Sequence, residues 1–204
     1  MDISGRSSCT AFAGMRRIAA GPLAEVALAA KQRFESDPTA QVLVFDDVTG
    51  EQVDLDFSLS GAELVERHVR DAATPAPADG EPAGTTPRGP GRPRLGVVAR
   101  EVTLLPRHWE WLGSQPGGAS VALRKLVEQA RKANEGRDRQ RRAQDAAYRF
   151  MSAMAGNLAG FEEAIRGLFA ADRTRFDEMV APWPADIRDH AGKLAAGAFA
   201  GAVE

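Results

Sequence analysis

The 204-residue chain has few of the features that define several large protein classes. A single cysteine, Cys9, excludes an internal disulfide and with it a disulfide-stapled secreted fold. No uncharged apolar run reaches the ~18 residues of a membrane span. The first residues lack the basic segment and apolar stretch of a signal peptide. We therefore expect a folded, cytoplasmic protein of bacterial type, since apolar residues still make up 44% of the chain.

The sequence also lacks the motifs of the common enzyme classes. Its three histidines, His68, His108 and His190, lie in separate segments, and Cys9 has neither a neighbouring histidine nor a CxxC partner. There is no GxxxxGK[ST] loop and no GxGxxG after a predicted strand. The acidic residues between positions 46 and 56 do not have the spacing of an EF-hand loop. We expect a protein that is not an enzyme, with no catalytic residues, metal or cofactor.

Charge is distributed unevenly along the chain, although the net charge is only −2. Residues 1–84 hold 7 basic and 14 acidic side chains, residues 85–142 hold 13 and 5, and residues 143–204 hold 6 and 9. A basic segment between acidic ends is typical of a nucleic-acid contact region. The alternative is an arginine-rich helix that is simply solvated.

The first 71 residues predict a small α+β unit. Residues 10–13 read as a strand, and Pro22 opens a helix that ends at Asp37 and Pro38. Residues 41–45 and 52–57 predict two strands joined by a turn at 46–50, because the second run alternates apolar and acidic side chains. A short helix is expected at 61–70.

Residues 72–96 predict a flexible linker, since they contain six of the twelve prolines, five glycines and only one large apolar residue. Within it, residues 88–96 read RGPGRPRLG, and this Gly-Arg-Pro core resembles an AT-hook. The resemblance implies that Arg92 and Arg94, on either side of Pro93, follow the floor of an A·T-rich minor groove, with Arg88 on a flanking phosphate. An ordinary linker is the alternative.

Residues 97–134 predict a strand, a short helix and a longer helix. The strand spans 98–105, Pro106 opens the first helix, and the Pro-Gly-Gly at 116–118 breaks it. Ser120 is expected to cap the second helix, which carries one apolar stripe. That stripe consists of Leu123, Leu126, Val127 and Ala130.

The residues REVTLLPRHWEWL at 100–112, PGGAS at 116–120 and VALRKLVEQA at 121–130 resemble a ribbon-helix-helix module. That resemblance implies a homodimer whose paired strands enter the major groove of duplex DNA. It also implies that backbone N–H groups at Ser120 and Val121 hold a phosphate, assisted by Arg124 and Lys125. Thr103, or Arg100 in the opposite strand register, then faces the bases. Alternatively, the module serves only for dimerisation, or its strand joins the sheet of the first unit.

Residues 135–204 predict a helical tail. A long apolar stripe runs from Ala147 to Phe169, interrupted at Gly156 and Gly160. Asp172 is expected to cap one short helix and Pro184 to open another. The whole chain is therefore predicted to be α+β: a small α+β unit, a linker, a ribbon-helix-helix-like module and a helical tail.

The stretch GRPRLGVVAREVTLLPRHWEWL at 91–112, continued by QPGGAS at 115–120, resembles an uncharacterised bacterial family, domain of unknown function 2239. The resemblance implies only that linker, module and tail belong together. From the residues we expect a dimeric DNA-binding protein, a transcriptional regulator or a nucleoid-associated factor. The alternative is a scaffold that binds a protein partner through an apolar groove in the tail.

Overall fold

The computed structural model describes residues 8–73 and 100–200. The described residues form two compact units. Unit 1 consists of residues 8–73 together with 136–200, and unit 2 consists of residues 100–135. Within these ranges the chain has one three-stranded sheet and seven α-helices, which confirms the predicted α+β class.

A small antiparallel sheet organises the N-terminal part of unit 1. Its strands are β1 (Ser8–Ala13), β2 (Arg16–Pro22) and β3 (Val42–Asp46), in the spatial order β2-β1-β3. The central strand places Thr10 opposite Ala20 on one side and Phe45 on the other. Because neighbouring residues of a strand point to opposite faces, β1 contributes to two separate layers of packing.

Helix α1 (Leu23–Ser36) covers one face of the sheet. It begins directly after Pro22, as predicted, and ends at Asp37, whose N–H donates to the carbonyl of Arg33. Cys9 and Ala11 of β1 point towards this helix. The resulting cluster of buried side chains contains Cys9, Ala11, Leu23, Val26, Ala30, Val44 and Val53.

The C-terminal helices cover the opposite face. They are the end of α4 (Gly118–Met154), then α5 (Phe161–Phe169), α6 (Arg173–Val180) and α7 (Ala185–Ala195), followed by a 3₁₀ turn at Ala196–Phe199. Phe150 of α4 lies with its ring 5.1 Å from that of Phe45 and 5.4 Å from that of Phe12. The main core of unit 1 is therefore shared by segments far apart in the sequence. Its larger members are Phe12, Phe45, Phe150, Met151, Leu168, Phe176, Trp183, Ile187 and Leu194.

Local sequence signals fix several helix ends as predicted. Asp172 caps α6 by accepting a hydrogen bond from the N–H of Arg175 at 3.0 Å, and α7 begins directly after Pro184. Helix α2 (Gly61–Ala73) begins with a reciprocal cap: Ser60 accepts from the N–H of Glu63, and the Glu63 carboxylate accepts from the N–H of Ser60.

One prediction for the first 71 residues is wrong, and one strand was missed. Residues 52–57 do not form a strand; only Gln52 makes an isolated bridge, to Phe45. The alternating apolar side chains pack without strand pairing: Phe57 stacks on Phe34 of α1 with ring centroids 5.0 Å apart. Strand β2 was not predicted, because its sequence RRIAAGP has no polar–apolar alternation.

Unit 2 also departs from its predicted outline. Residues 100–105, the described part of the predicted strand, do not pair with any strand in residues 8–73 and 100–200. Helix α3 (Pro106–Gly113) begins at Pro106 as expected. Ser120, however, is not a helix cap, because α4 begins at Gly118. Gly117 and Gly118 have φ of +86° and +74°, and glycine allows this tight entry into the helix. Helix α4 then continues without a break past residue 134.

The turn after β3 lies directly against α4. Gly50 has φ +67°, and a Cβ atom at this position would lie only 2.0 Å from the carbonyl oxygen of Ala146. A side chain here would therefore displace the loop from the helix.

We predict that Gly50→Ala lowers the free energy of unfolding by ~3 kcal/mol or more, because it adds a backbone clash to the cost of a positive φ. Gly14→Ala is the matched control: Gly14 has φ +56°, but a Cβ there meets no atom within 4 Å. It should cost only ~1 kcal/mol. Urea denaturation measures both, and an equal loss in the two variants would contradict the close packing of the loop on α4.

Candidate nucleic-acid interface

The predicted DNA-contacting residues fall into two groups. Arg88, Arg92, Pro93 and Arg94 of the hook-like motif lie outside the described residues. The other five lie in unit 2, and all of them are exposed. They are Arg100, Thr103, Ser120, Arg124 and Lys125.

The beginning of α4 gathers three of these five residues. Ser120 lies in the first helical turn, and the Arg124 Nε donates to the Ser120 carbonyl at 3.1 Å. The N–H groups in the first turn of a helix have no acceptor within the helix. In α4 these belong to residues 118–121, of which Gly118 donates to the carbonyl of Gln115 at 2.9 Å. Ser120 and Val121 therefore keep the first-turn position that a phosphate site requires, although Ser120 is not the cap.

No residue of α4 from 124 to 142 is buried, and all of them except the half-buried Asp138 and Gln140 are exposed. It carries eight basic and three acidic side chains. Arg131 is paired with Glu128 at 2.8 Å, whereas Lys125 and Lys132 make no ion pair among the described residues. A helical stretch with no buried residue and more basic than acidic side chains gains little stability from packing within its own chain.

Unit 2 presents an apolar surface next to these charges. Residues of α3 and α4 line a groove of about 280 Å³ together with Leu104; they are His108, Trp111, Leu112, Leu123 and Leu126. Trp111 is 52% exposed, and Val127 on α4 is 64% exposed. Of the residues between 100 and 135, only Leu112 and Ala122 are buried. Within its own residues, unit 2 therefore has almost no hydrophobic core.

A polar cluster that sequence reasoning missed lies in unit 1. The Asp47 carboxylate, 4% exposed, accepts hydrogen bonds from the Ser8 and Thr10 hydroxyls at 2.6 and 2.7 Å and from the Lys193 Nζ at 2.7 Å. His190 Nε2 lies 3.7 Å from the same carboxylate and has no hydrogen-bond partner. No local motif could have indicated this cluster, since Asp47 and His190 are separated by 143 positions.

The electrostatics of this cluster are those of a buried structural contact. Although burial raises the pKa of Asp47, hydrogen bonds from Lys193, Ser8 and Thr10 bring it below its usual value. Burial lowers the pKa of His190 to about 4, against the attraction of Asp47. The hydroxyls donate to the carboxylate rather than to the imidazole, so the arrangement does not activate a nucleophile.

Cys9 lies on the other face of β1, where burial, with a contribution from Asp46 and Asp47, raises the pKa of its thiol to about 12. The thiol is therefore protonated at neutral pH, which disfavours thiolate chemistry. No group of three or more His, Cys, Asp or Glu in residues 8–73 and 100–200 is arranged to hold a metal ion. None of the helices in these ranges combines the length and apolar character needed to cross a bilayer.

Comparison with known proteins identifies the family. The model of a family described as an uncharacterized protein conserved in bacteria (DUF2239) matches residues 8–195. The chain belongs to this family. The match covers the predicted head, linker, module and most of the tail, and the family description gives no activity. No curated protein and no solved structure matches the chain.

His190 makes the stability of unit 1 depend on pH. The pKa of His190 is about 4 in the folded chain and ~6.5 in the unfolded chain. Above pH 6.5 the imidazole is neutral in both states, whereas below it the unfolded chain binds a proton that the folded chain does not. The free energy of unfolding therefore falls as the pH decreases from 6.5 towards 4. Between pH 6.5 and 4.5 we expect a loss of about 2–3 kcal/mol in the free energy of unfolding.

Urea denaturation across this pH range tests the prediction. His190→Leu should remove most of the dependence, because leucine does not titrate. If the wild type and His190→Leu lose stability equally over this range, the buried neutral imidazole is not its cause.

Proposed function

We propose that the chain is a non-enzymatic, cytoplasmic protein that binds duplex DNA as a homodimer, either a transcriptional regulator or a nucleoid-associated factor. The observation that carries the proposal is the composition of the surface of unit 2. In this unit residues 100–105 and helices α3 and α4 carry both an exposed apolar groove and exposed basic side chains.

Dimerisation follows from the missing core. A small unit with little hydrophobic core usually needs a disulfide, a metal or an oligomeric partner to be stable. Unit 2 has no cysteine, and its described residues bury only Leu112 and Ala122. A second copy that packs its own groove against Trp111, Leu123 and Leu126 would bury this surface. Pairing of residues 100–105 between copies would satisfy backbone groups that have no strand partner within the chain.

Phosphate binding is proposed at the beginning of α4. The first-turn N–H groups at Ser120 and Val121 carry the positive end of the helix dipole, which favours an anion. Arg124 and Lys125 follow within one turn and add two full charges. Contacts of this kind position a protein on DNA without reading its sequence.

Sequence preference is proposed to come from two places. Arg100 or Thr103 on the paired strands would face base edges in the major groove. The hook-like segment would place Arg92 and Arg94, with Pro93 between them, in an A·T-rich minor groove, and Arg88 on a phosphate.

The scaffold alternative has less support. Most of the apolar stripe of the tail, including Phe150, Met151 and Leu168, lies in the main core of unit 1, and only Phe169 at its end is exposed, at 50%. Core packing accounts for most of this stripe.

A salt titration of DNA binding tests the proposed function. Fluorescence anisotropy with A·T-rich and G·C-rich 20-base-pair duplexes should give micromolar or tighter binding at ~50 mM salt and a steep loss of affinity as salt rises, because each phosphate contact releases counterions. Arg124→Ala with Lys125→Ala removes two cations from each protomer, so it should lower the slope of log affinity against log salt by about 4 for the dimer.

Two further variants complete this experiment. Arg33→Ala with Arg188→Ala removes two arginines that are paired with carboxylates in unit 1, and it should leave the slope unchanged. Arg92→Ala with Arg94→Ala should abolish the preference for the A·T-rich duplex. No binding of either duplex by the wild type at ~50 mM salt would overturn the proposed function.

A further inference from the structure

We propose that unit 1 adds a second phosphate-binding surface to the DNA interface, formed by Arg137 and Arg141 on α4. The inference rests on the proposed function and extends it beyond unit 2. No sequence motif indicated these residues as DNA contacts.

The charge of this part of α4 is strongly one-sided. Residues 136–142 contain four arginines and a single acidic side chain, Asp138. All four arginines are exposed; they are Arg137, Arg139, Arg141 and Arg142. Like charges one helical turn apart destabilise a helix by a few tenths of a kcal/mol per pair. Arg137 and Arg141 form such a pair, although Asp138 lies one turn from both Arg141 and Arg142 and offsets part of the repulsion.

Most of the other arginines of unit 1 are paired. Seven of them lie within 4.0 Å of a carboxylate; they are Arg33, Arg67, Arg149, Arg166, Arg173, Arg175 and Arg188. Arg137, like Arg16, Arg17 and Arg142, makes no ion pair with any described residue. Arg141 is paired with Asp138 at 3.8 Å, but its side chain is 71% exposed, so the pair is weak. These two guanidinium groups keep most of their capacity to bind an anion from outside the chain.

Their spacing fits one DNA backbone. Residues four apart on a helix share a face, about 6 Å apart along the axis. Both side chains can therefore lie along one sugar–phosphate strand. The planar guanidinium of arginine donates two parallel hydrogen bonds to a phosphate, which a lysine at the same position cannot do.

Charge complementarity decides in favour of a polyanion over a protein partner. Between 136 and 143 this stretch of α4 carries no large apolar side chain. Beyond it Gln144 is half-buried, and Tyr148, 44% exposed, lies with its ring 5.9 Å from that of Phe169. Protein interfaces usually have an apolar centre, whereas phosphate contacts require only correctly placed cations.

The test uses the full-length chain and the same anisotropy titration on a 20-base-pair duplex. Arg137→Ala with Arg141→Ala should lower the salt slope by about 4 for the dimer and weaken binding at least tenfold at ~50 mM salt. Alanine favours the helix at both exposed positions, so the variant should fold. Circular dichroism checks this, and Arg33→Ala with Arg188→Ala is the control of equal charge.

The possible outcomes separate this inference from the proposed function. If the wild type binds and Arg124→Ala with Lys125→Ala lowers the slope, but Arg137→Ala with Arg141→Ala does not, the proposed function stands and the second surface is refuted. If the charge-matched control lowers the slope equally, net charge explains the effect and the surface is again refuted. If the wild type binds no duplex, both proposals fall together.

Discussion

The uneven burial of apolar side chains is the constraint on which the rest of the structure depends. The two ends of the described chain close on each other, so that Phe12 and Phe45 of the sheet share one core with Phe150 of α4. Nearly all buried side chains of the described residues lie in unit 1. Unit 2, which lies between the two parts of unit 1 in the sequence, has only two, Leu112 and Ala122. A segment that lies between two parts of one core stays tethered to that core even when it contributes little to its own stability. Unit 2 can therefore keep its apolar and basic surface for partners.

Closure of unit 1 depends on one short turn after β3. Gly50 brings the turn into contact with the backbone of α4, and the Arg149 guanidinium donates to the Thr49 carbonyl at 2.9 Å. Asp47 joins β1 to α7 through its bonds to Thr10 and Lys193. The Asp46 side chain accepts from the N–H groups of the following residues and holds the turn in shape. A carboxylate at 47 is tolerated in a buried position because three donors satisfy it.

Much of the fold follows from local signals, and its assembly does not. Pro22, Pro106, Pro184 and Asp172 mark helix starts that depend only on neighbouring residues, so the sequence predicts them. The run at 52–57 has the alternation of a strand but gains its stability by packing on α1, which pairing rules do not describe. The contact between Asp47 and Lys193 joins residues 146 positions apart. For the candidate interface, composition predicts that the residues are basic and exposed. Whether Arg137 is paired with a carboxylate depends on where the fold places the acidic side chains, so the sequence does not predict it.

The proposed function requires a homodimer, because one copy leaves Trp111 and Val127 exposed and buries only two of the described side chains of unit 2. Sedimentation equilibrium of the full chain measures this requirement directly. The account predicts a particle of twice 21.8 kDa at micromolar concentration, and a particle of 21.8 kDa when Leu126→Glu places a charge in the groove. A wild-type chain that remains at 21.8 kDa up to ~100 μM would contradict it.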